Sequence, residues 1–255
     1  MMWSPERGLK HVIAYSDSSA DHREVGGLLD DYAFTAIACL DAYEVTTDLS
    51  YYRFAERVAA KMIECFYDET AGGFFDTSRQ ALQGNLGALS ARRKPLQDSP
   101  TPAGNPAATI ALLRLYEYSG EAKHREAAEA TLKAFAGVAG HFGIFAATYG
   151  IALTLYSRPH TQVVVIGNDQ RADELQSAAV SPYSISKSVL RFDPDHVVAE
   201  NLPPALAQTL PNLPAVKEKK SMAVLCSGFS CQPPVESVDA LQASLDGDVR
   251  KRRAS

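Results

Sequence analysis

The sequence predicts a mainly α chain of stacked helical hairpins followed by a small α/β segment, and three observations predict it. Residues 103–135 (AGNPAATIALLRLYEYSGEAKHREAAEATLKAF) read as one helical hairpin, with Asn105 able to cap a first helix, Pro106 in its first turn and Gly120 able to stop it. A shift of 73 residues lays 29–66 on this hairpin, and Ala38, Leu40, Tyr43, Glu44, Ala55 and Glu56 fall on the identical Ala111, Leu113, Tyr116, Glu117, Ala128 and Glu129. Beyond Pro159 the helical period gives way to continuous apolar runs and alternation.

In chain order, 1–27 lack sustained periodicity apart from a short element at Leu9–Tyr15. Leu29, Ala33, Ile37, Leu40 and Tyr43 then mark an amphipathic helix over 29–46, with Asp30 and Asp31 in its first turn. After the connector Thr46, Thr47 and Asp48, a second helix carries Tyr51, Ala55, Val58, Met62 and Phe66 and ends before the turn at 70–73. The loop 67–104 contains GGFFDT (72–77), read as a β-hairpin edge, and the Pro-rich run 91–105. A third long helix is predicted over 142–157, closed by Pro159. The α/β segment is expected as strands at 162–167, 187–192 and 222–226, with helices at 169–180 and 236–245. The resulting division is 1–159 for the hairpins, 160–246 for the α/β appendage and 247–255 for a frayed basic tail.

Composition narrows the function classes. With 255 residues, 46% hydrophobic, 22% charged and a net charge of −5, the chain is of ordinary globular type and lacks the concentrated basic surface of a nucleic-acid binder. The N-terminus has neither an apolar signal core nor an Arg-rich amphipathic pattern, and no run spans a bilayer, so a cytoplasmic location and no membrane partner are expected. Four cysteines in such a chain are expected as reduced thiols. No cofactor and no metal site are predicted, because no set of ligands has metal spacing.

Five segments, LLDDYAF (28–34), the Glu-x-Thr-x-Asp connector at 44–48, ECFYDETAGGFFDT (64–77), DSPTPAGNPAATIALLRL (98–115) and VLCSGFSCQPPV (224–235), together resemble the C-terminal part of the YyaL-like, spermatogenesis-associated thioredoxin-domain proteins. The resemblance runs over about residues 9–245. It implies a partial (α/α) toroid similar to that of N-acylglucosamine 2-epimerases and six-hairpin glycosidases, and a thioredoxin-like domain that this sequence does not contain. It therefore points to a fragment or short isoform of a carbohydrate-processing-like toroid protein, with sugar-related binding and the question of catalysis open. A non-catalytic interaction or redox-adaptor scaffold, and a truncated non-functional product, are the alternatives. An incomplete ring leaves apolar helix faces without partners, so self-association is expected.

The candidate site lies where the long loops meet the helix starts. Asp30, Asp31 and Asp98 are the candidate catalytic carboxylates, as acid, base or acceptors of sugar hydroxyls; the plainer role for Asp30 and Asp31 is to complement a helix N-terminus. Tyr32, Asp76, Asn105 and His141 are candidate substrate-binding residues, with capping the plainer role for Asn105 and His141. Where the family tends to have Ser after Gly-Asn, this chain has Pro106. Arg92, Arg93 and Lys94 meet an anionic ligand or simply face solvent. Cys226 and Cys231 form a C-x4-C at a strand end, a redox pair or half a metal site, although the spacing without a second Cys/His pair is a weak zinc signal, while Cys39 and Cys65 sit in helical patterns as small apolar residues. The ligand class is a sugar or other small polar compound.

Overall fold

In the computed structural model, which describes residues 2–12, 25–79, 92–228 and 230–254, the N-terminal segment is a small antiparallel sheet. Strands β1 (Trp3–Ser4), β2 (Gly8–Val12) and β3 (Val25–Gly26) pair in that order. The short element expected at Leu9–Tyr15 is β2, and its last three positions lie outside the described residues.

Helix α1 (Leu29–Thr46) buries Leu29, Tyr32, Ala33, Ala36, Leu40 and Tyr43, a run of three- and four-residue steps down one face. Helix α2 (Leu49–Phe66) does the same with Tyr52, Ala55, Val58, Ala59, Met62 and Phe66. The second hairpin is α3 (Gly104–Ser119) and α4 (Ala122–Phe135). Under the 73-residue shift Thr46 lands on Ser119 and Leu49 on Ala122, so both hairpins turn at equivalent positions. Gly120 follows α3 with φ 70° and donates its N–H to Tyr116 O, which satisfies a terminal carbonyl of the helix.

Three local expectations are corrected. Asn105 is not the cap of α3 but lies inside its first turn, with its side chain committed to another segment. The predicted helix 142–157 begins as a 3-10 segment, Ala139–Ala146, and only α5 (Ala147–Ser157) is α-helical. The break is at Gly143, whose φ of 53° and ψ of −127° are open to glycine and strained for other residues. GGFFDT forms a single antiparallel bridge, Tyr67 to Phe74, rather than a hairpin.

Beyond α5 the chain forms β4 (Thr161–Ile166), α6 (Gln170–Val180), β5 (Lys187–Phe192), the short helices α7 (Pro204–Ala207) and α8 (Pro214–Lys217), then β6 (Met222–Ser227), β7 (Ser230–Cys231) and α9 (Val238–Ala254). The sheet order is β5-β4-β6-β7. Strands β4 and β5 are parallel and joined through α6, whereas β6 runs antiparallel to β4 and β7 to β6. Val163, Val165, Ala223 and Leu225 of the sheet close one core with Ala172, Leu175 and Ala179 of α6 and Leu241 and Leu245 of α9. Asp169 caps α6 by accepting the Ala172 N–H at 3.0 Å. Helix α9 starts near the expected 236 and runs to Ala254, through the stretch read from sequence as tail.

By density of internal contacts the chain divides into two units. The first comprises Met1–Leu40, Arg53–Leu115 and Ala122–Leu153; the second comprises the two hairpin turns, Asp41–Tyr52 and Tyr116–Glu121, with Thr154–Ser255. In the second unit Tyr118 packs edge-on against Tyr43 at 5.4 Å between ring centroids and donates its hydroxyl to Glu44 Oε1 at 2.8 Å. The described residues are mainly helical, with two small sheets. Among them no single helix is long and apolar enough to cross a membrane.

Candidate functional site

A cleft of about 500 Å³ opens in the first unit, lined among others by Trp3, His11, Asp30, Asp31, Phe34 and Phe54. Strands β1 and β2 bring in Trp3 and His11, the first turns of α1 supply Asp30, Asp31 and Phe34, and α2 supplies Phe54. The Trp3 and Phe54 rings meet edge-on with centroids 5.5 Å apart. Phe34 is 37% exposed, so the apolar wall is open to a ligand.

Asp31 carries two structural tasks. Its Oδ2 accepts the Leu28 N–H at 2.8 Å, reaching back over the helix start as in a capping box, and the same oxygen lies 2.9 Å from His11 Nδ1. Asp30 is different: it is exposed to the cleft, and no described residue donates a hydrogen bond to it. Its pKa is raised, first by the surrounding protein and then by the negative charges of Asp31 and Asp76, against a smaller lowering by His11. The first residue of α3 lets the chain pass close beside this carboxylate, since a Cβ on Gly104 would stand 2.2 Å from Asp30 Oδ1. The start of the second hairpin thus abuts the start of the first.

The remaining candidates are tied into the scaffold. Asp76 accepts the Arg93 N–H at 3.0 Å while its backbone carbonyl accepts the Leu29 N–H, so it joins the long loop to α1 and reaches Asp30 only through its charge. Tyr32 is 2% exposed, stacks edge-on with Phe66 at 5.1 Å and accepts the Leu9 N–H at 2.8 Å; burial pushes its pKa up to about 12. Asp98 holds two helix starts, accepting Ala103 N–H at 2.9 Å and Thr148 N–H at 2.9 Å. Asn105 is fully buried, accepting Phe74 N–H at 2.6 Å and donating to Phe74 O and Pro95 O at 2.8 and 2.9 Å. Its amide has no hydrogen left for a ligand.

His141 is exposed on the 3-10 segment, and the histidine in the cleft is His11. Of the basic run, Arg92 lies 3.9 Å over the Phe75 ring and donates to Thr77 O, and Lys94 pairs with Asp68 at 2.8 Å. Neither faces solvent as a free cation. Cys226 and Cys231, expected as reduced thiols, are disulfide-bonded, and Cys39 and Cys65 are free. Burial pushes the thiol pKa of both free cysteines up, which suppresses their nucleophilic form. Among the described residues no group of three or more His, Cys, Asp or Glu is arranged to hold a metal ion.

Sequence reasoning missed His11, Trp3, Phe34 and Phe54. The aromatic residues belong to no chemical motif, and His11 reaches the helix start from a strand 20 residues upstream.

No protein-family model matches the chain. Over 214 residues, 82% of its length, it is 27% identical to a human (Homo sapiens) protein and 26% identical to proteins of mouse (Mus musculus) and rat (Rattus norvegicus). The chain is similar to spermatogenesis-associated protein 20. The aligned region is 26% of each of these relatives, so the chain spans about a quarter of their length. This similarity supports the family resemblance carried by the five segments quoted above.

Proposed function

We propose that the chain binds a small polyhydroxylated ligand, a sugar or sugar-like compound, in the cleft between Trp3 and Asp30, and that its hairpins are arcs of an (α/α) toroid. The single observation that carries the reading is Asp30: a carboxyl open to the cleft, without a hydrogen-bond donor among the described residues, beside an aromatic wall. Ligand hydroxyls supply the missing donors, and aromatic faces take the apolar face of a pyranose ring. Burial and the negative charges of Asp31 and Asp76 raise the Asp30 pKa, the direction that favours a proton donor, and the His11–Asp31 pair lies beside it in the same cleft. Binding is the primary claim, and acid catalysis at Asp30 is its extension.

The test is isothermal titration calorimetry of the chain against a panel of neutral, amino and acidic mono- and disaccharides. At least one member is expected to bind saturably, and Asp30→Asn is expected to weaken it roughly tenfold, the loss of a charge-assisted hydrogen bond. Absence of heat with every sugar, or unchanged affinity in the variant, overturns the reading.

A further inference from the structure

The second unit contains a polar row that the cleft does not use. Cys226 of β6 lies directly opposite Cys231 of β7, to which its sulfur is bonded, and on its other side opposite Gln162 of β4. Residues opposed across antiparallel strands share a face, so Gln162, Cys226 and Cys231 stand side by side over three strands. All three line a niche with room for about one water molecule, together with Glu117, His160 and Thr209. The titratable groups of the niche are Glu117 and His160, and His160 Nε2 lies 2.9 Å from Ser188 Oγ.

Gln162 is only 6% exposed, and among the described residues its Nε2 has no hydrogen-bond partner. A buried amide N–H gains from an acceptor within reach, and a neighbouring group that can become a strong acceptor is stabilised by it in turn. The neighbouring sulfur supplies one. A disulfide sulfur is a weak acceptor, but Cys226 Sγ released as a thiolate is a strong one, next to the amide that lacks a partner.

We propose that Cys226–Cys231 is an exchangeable disulfide, opened by a dithiol reductant, with Gln162 receiving the Cys226 thiolate. The thiolate of the reductant attacks Cys231 Sγ, the sulfur of the more exposed residue, forming a mixed disulfide. The Cys226–Cys231 bond breaks, and its electron pair leaves on Cys226 Sγ, which accepts the Gln162 N–H. The second thiol of the reductant then attacks its own mixed-disulfide sulfur and releases Cys231. The reductant ends as a disulfide and the chain as a dithiol, with two electrons and two protons transferred.

The experiment uses the full chain, purified with rapid alkylation so that the native thiol state is recorded. Reduced glutathione is added at fixed pH, the reaction is quenched by alkylation, and glutathionylated cysteines are mapped by mass spectrometry. Rates of opening with dithiothreitol are compared for the wild type and Gln162→Met, which keeps size and removes the donor. The expected result is glutathione on Cys231, opening roughly tenfold slower in Gln162→Met, and equal rates for the two proteins in urea, where the niche is gone. Glutathione on Cys226, equal native-state rates, or Cys226 and Cys231 both found as free thiols in the untreated chain, beside the free Cys39 and Cys65, overturns the proposal. The mapping uses wild-type protein and decides the point of attack even if Gln162→Met does not fold.

Discussion

His11 Nδ1 lies 2.9 Å from Asp31 Oδ2, so a strand residue and a helix N-terminus 20 residues later hold the mouth of the same cleft. Both side chains are substantially exposed, at 44% and 28%, and the pair contributes little to stability. Asp31→Asn keeps an oxygen for the Leu28 N–H and removes the charge. It is expected to cost under about 1 kcal/mol in thermal denaturation and to weaken the proposed sugar binding several-fold, a separation read by running melts and titrations on one preparation.

Asp30 gives a pH-dependent prediction with a definite sign. Its pKa is raised in the folded chain, so the fold binds the proton more tightly than the unfolded chain does, and stability associated with this group is lost as pH rises through the folded value. Asp30→Asn is therefore expected to raise the melting temperature at pH 7. The gain vanishes below the unfolded carboxyl pKa, near pH 3. Differential scanning calorimetry at the two pH values checks both halves.

The ion pair of Lys94 with Asp68 runs the opposite way. Lys94, then the Thr70 hydroxyl and backbone N–H, hold the Asp68 carboxyl well below the usual range. A depressed folded pKa stabilises above the unfolded value and is lost as pH falls through the folded one. Lys94→Met is expected to lower the melting temperature at pH 7, with the difference from wild type closing toward pH 2 in the same calorimetric scans.

Asn105→Ala removes three hydrogen bonds at a fully buried position and leaves Phe74 N–H, Phe74 O and Pro95 O without partners. The expected loss is about 3 kcal/mol in urea denaturation. Asn105→Asp keeps the acceptor for Phe74 N–H and loses both donors, so it recovers only part of that loss, and more of it at low pH where the carboxyl carries a hydrogen.

Self-association is proposed on the apolar surface in the first unit where Ile144 is 82% and Phe145 53% exposed. Sedimentation velocity is expected to show dimers or larger species at micromolar concentration, reduced in Ile144→Glu. A wild type that remains a monomer up to 100-fold higher concentration contradicts this.

The hairpins were legible in the sequence because their burial repeats with the helical period and their turns recur 73 residues apart, at Thr46 and Ser119. The β4, α6, β5 and β6 order was legible for a similar reason: buried strands read as continuous apolar runs such as QVVVIG. What was not legible depends on partners distant in the chain. Asn105 has the composition of a helix cap, yet its amide is taken by Phe74, 31 residues away. Gly143 broke the third helix because one residue adopts positive φ, a property that a hydrophobic period does not carry. The cleft itself needed β1 and β2 to meet α1, a pairing without a sequence motif.

Trp3 is the one tryptophan among the 255 residues, and it lines the proposed ligand cleft. Its fluorescence therefore reports ligand entry there most directly. Titrating the wild type with the sugar that gives the largest calorimetric response is expected to change Trp3 emission saturably, with the dissociation constant raised roughly tenfold in Asp30→Asn. Emission that does not move while heat is still released, or that moves identically in Asp30→Asn, contradicts the account.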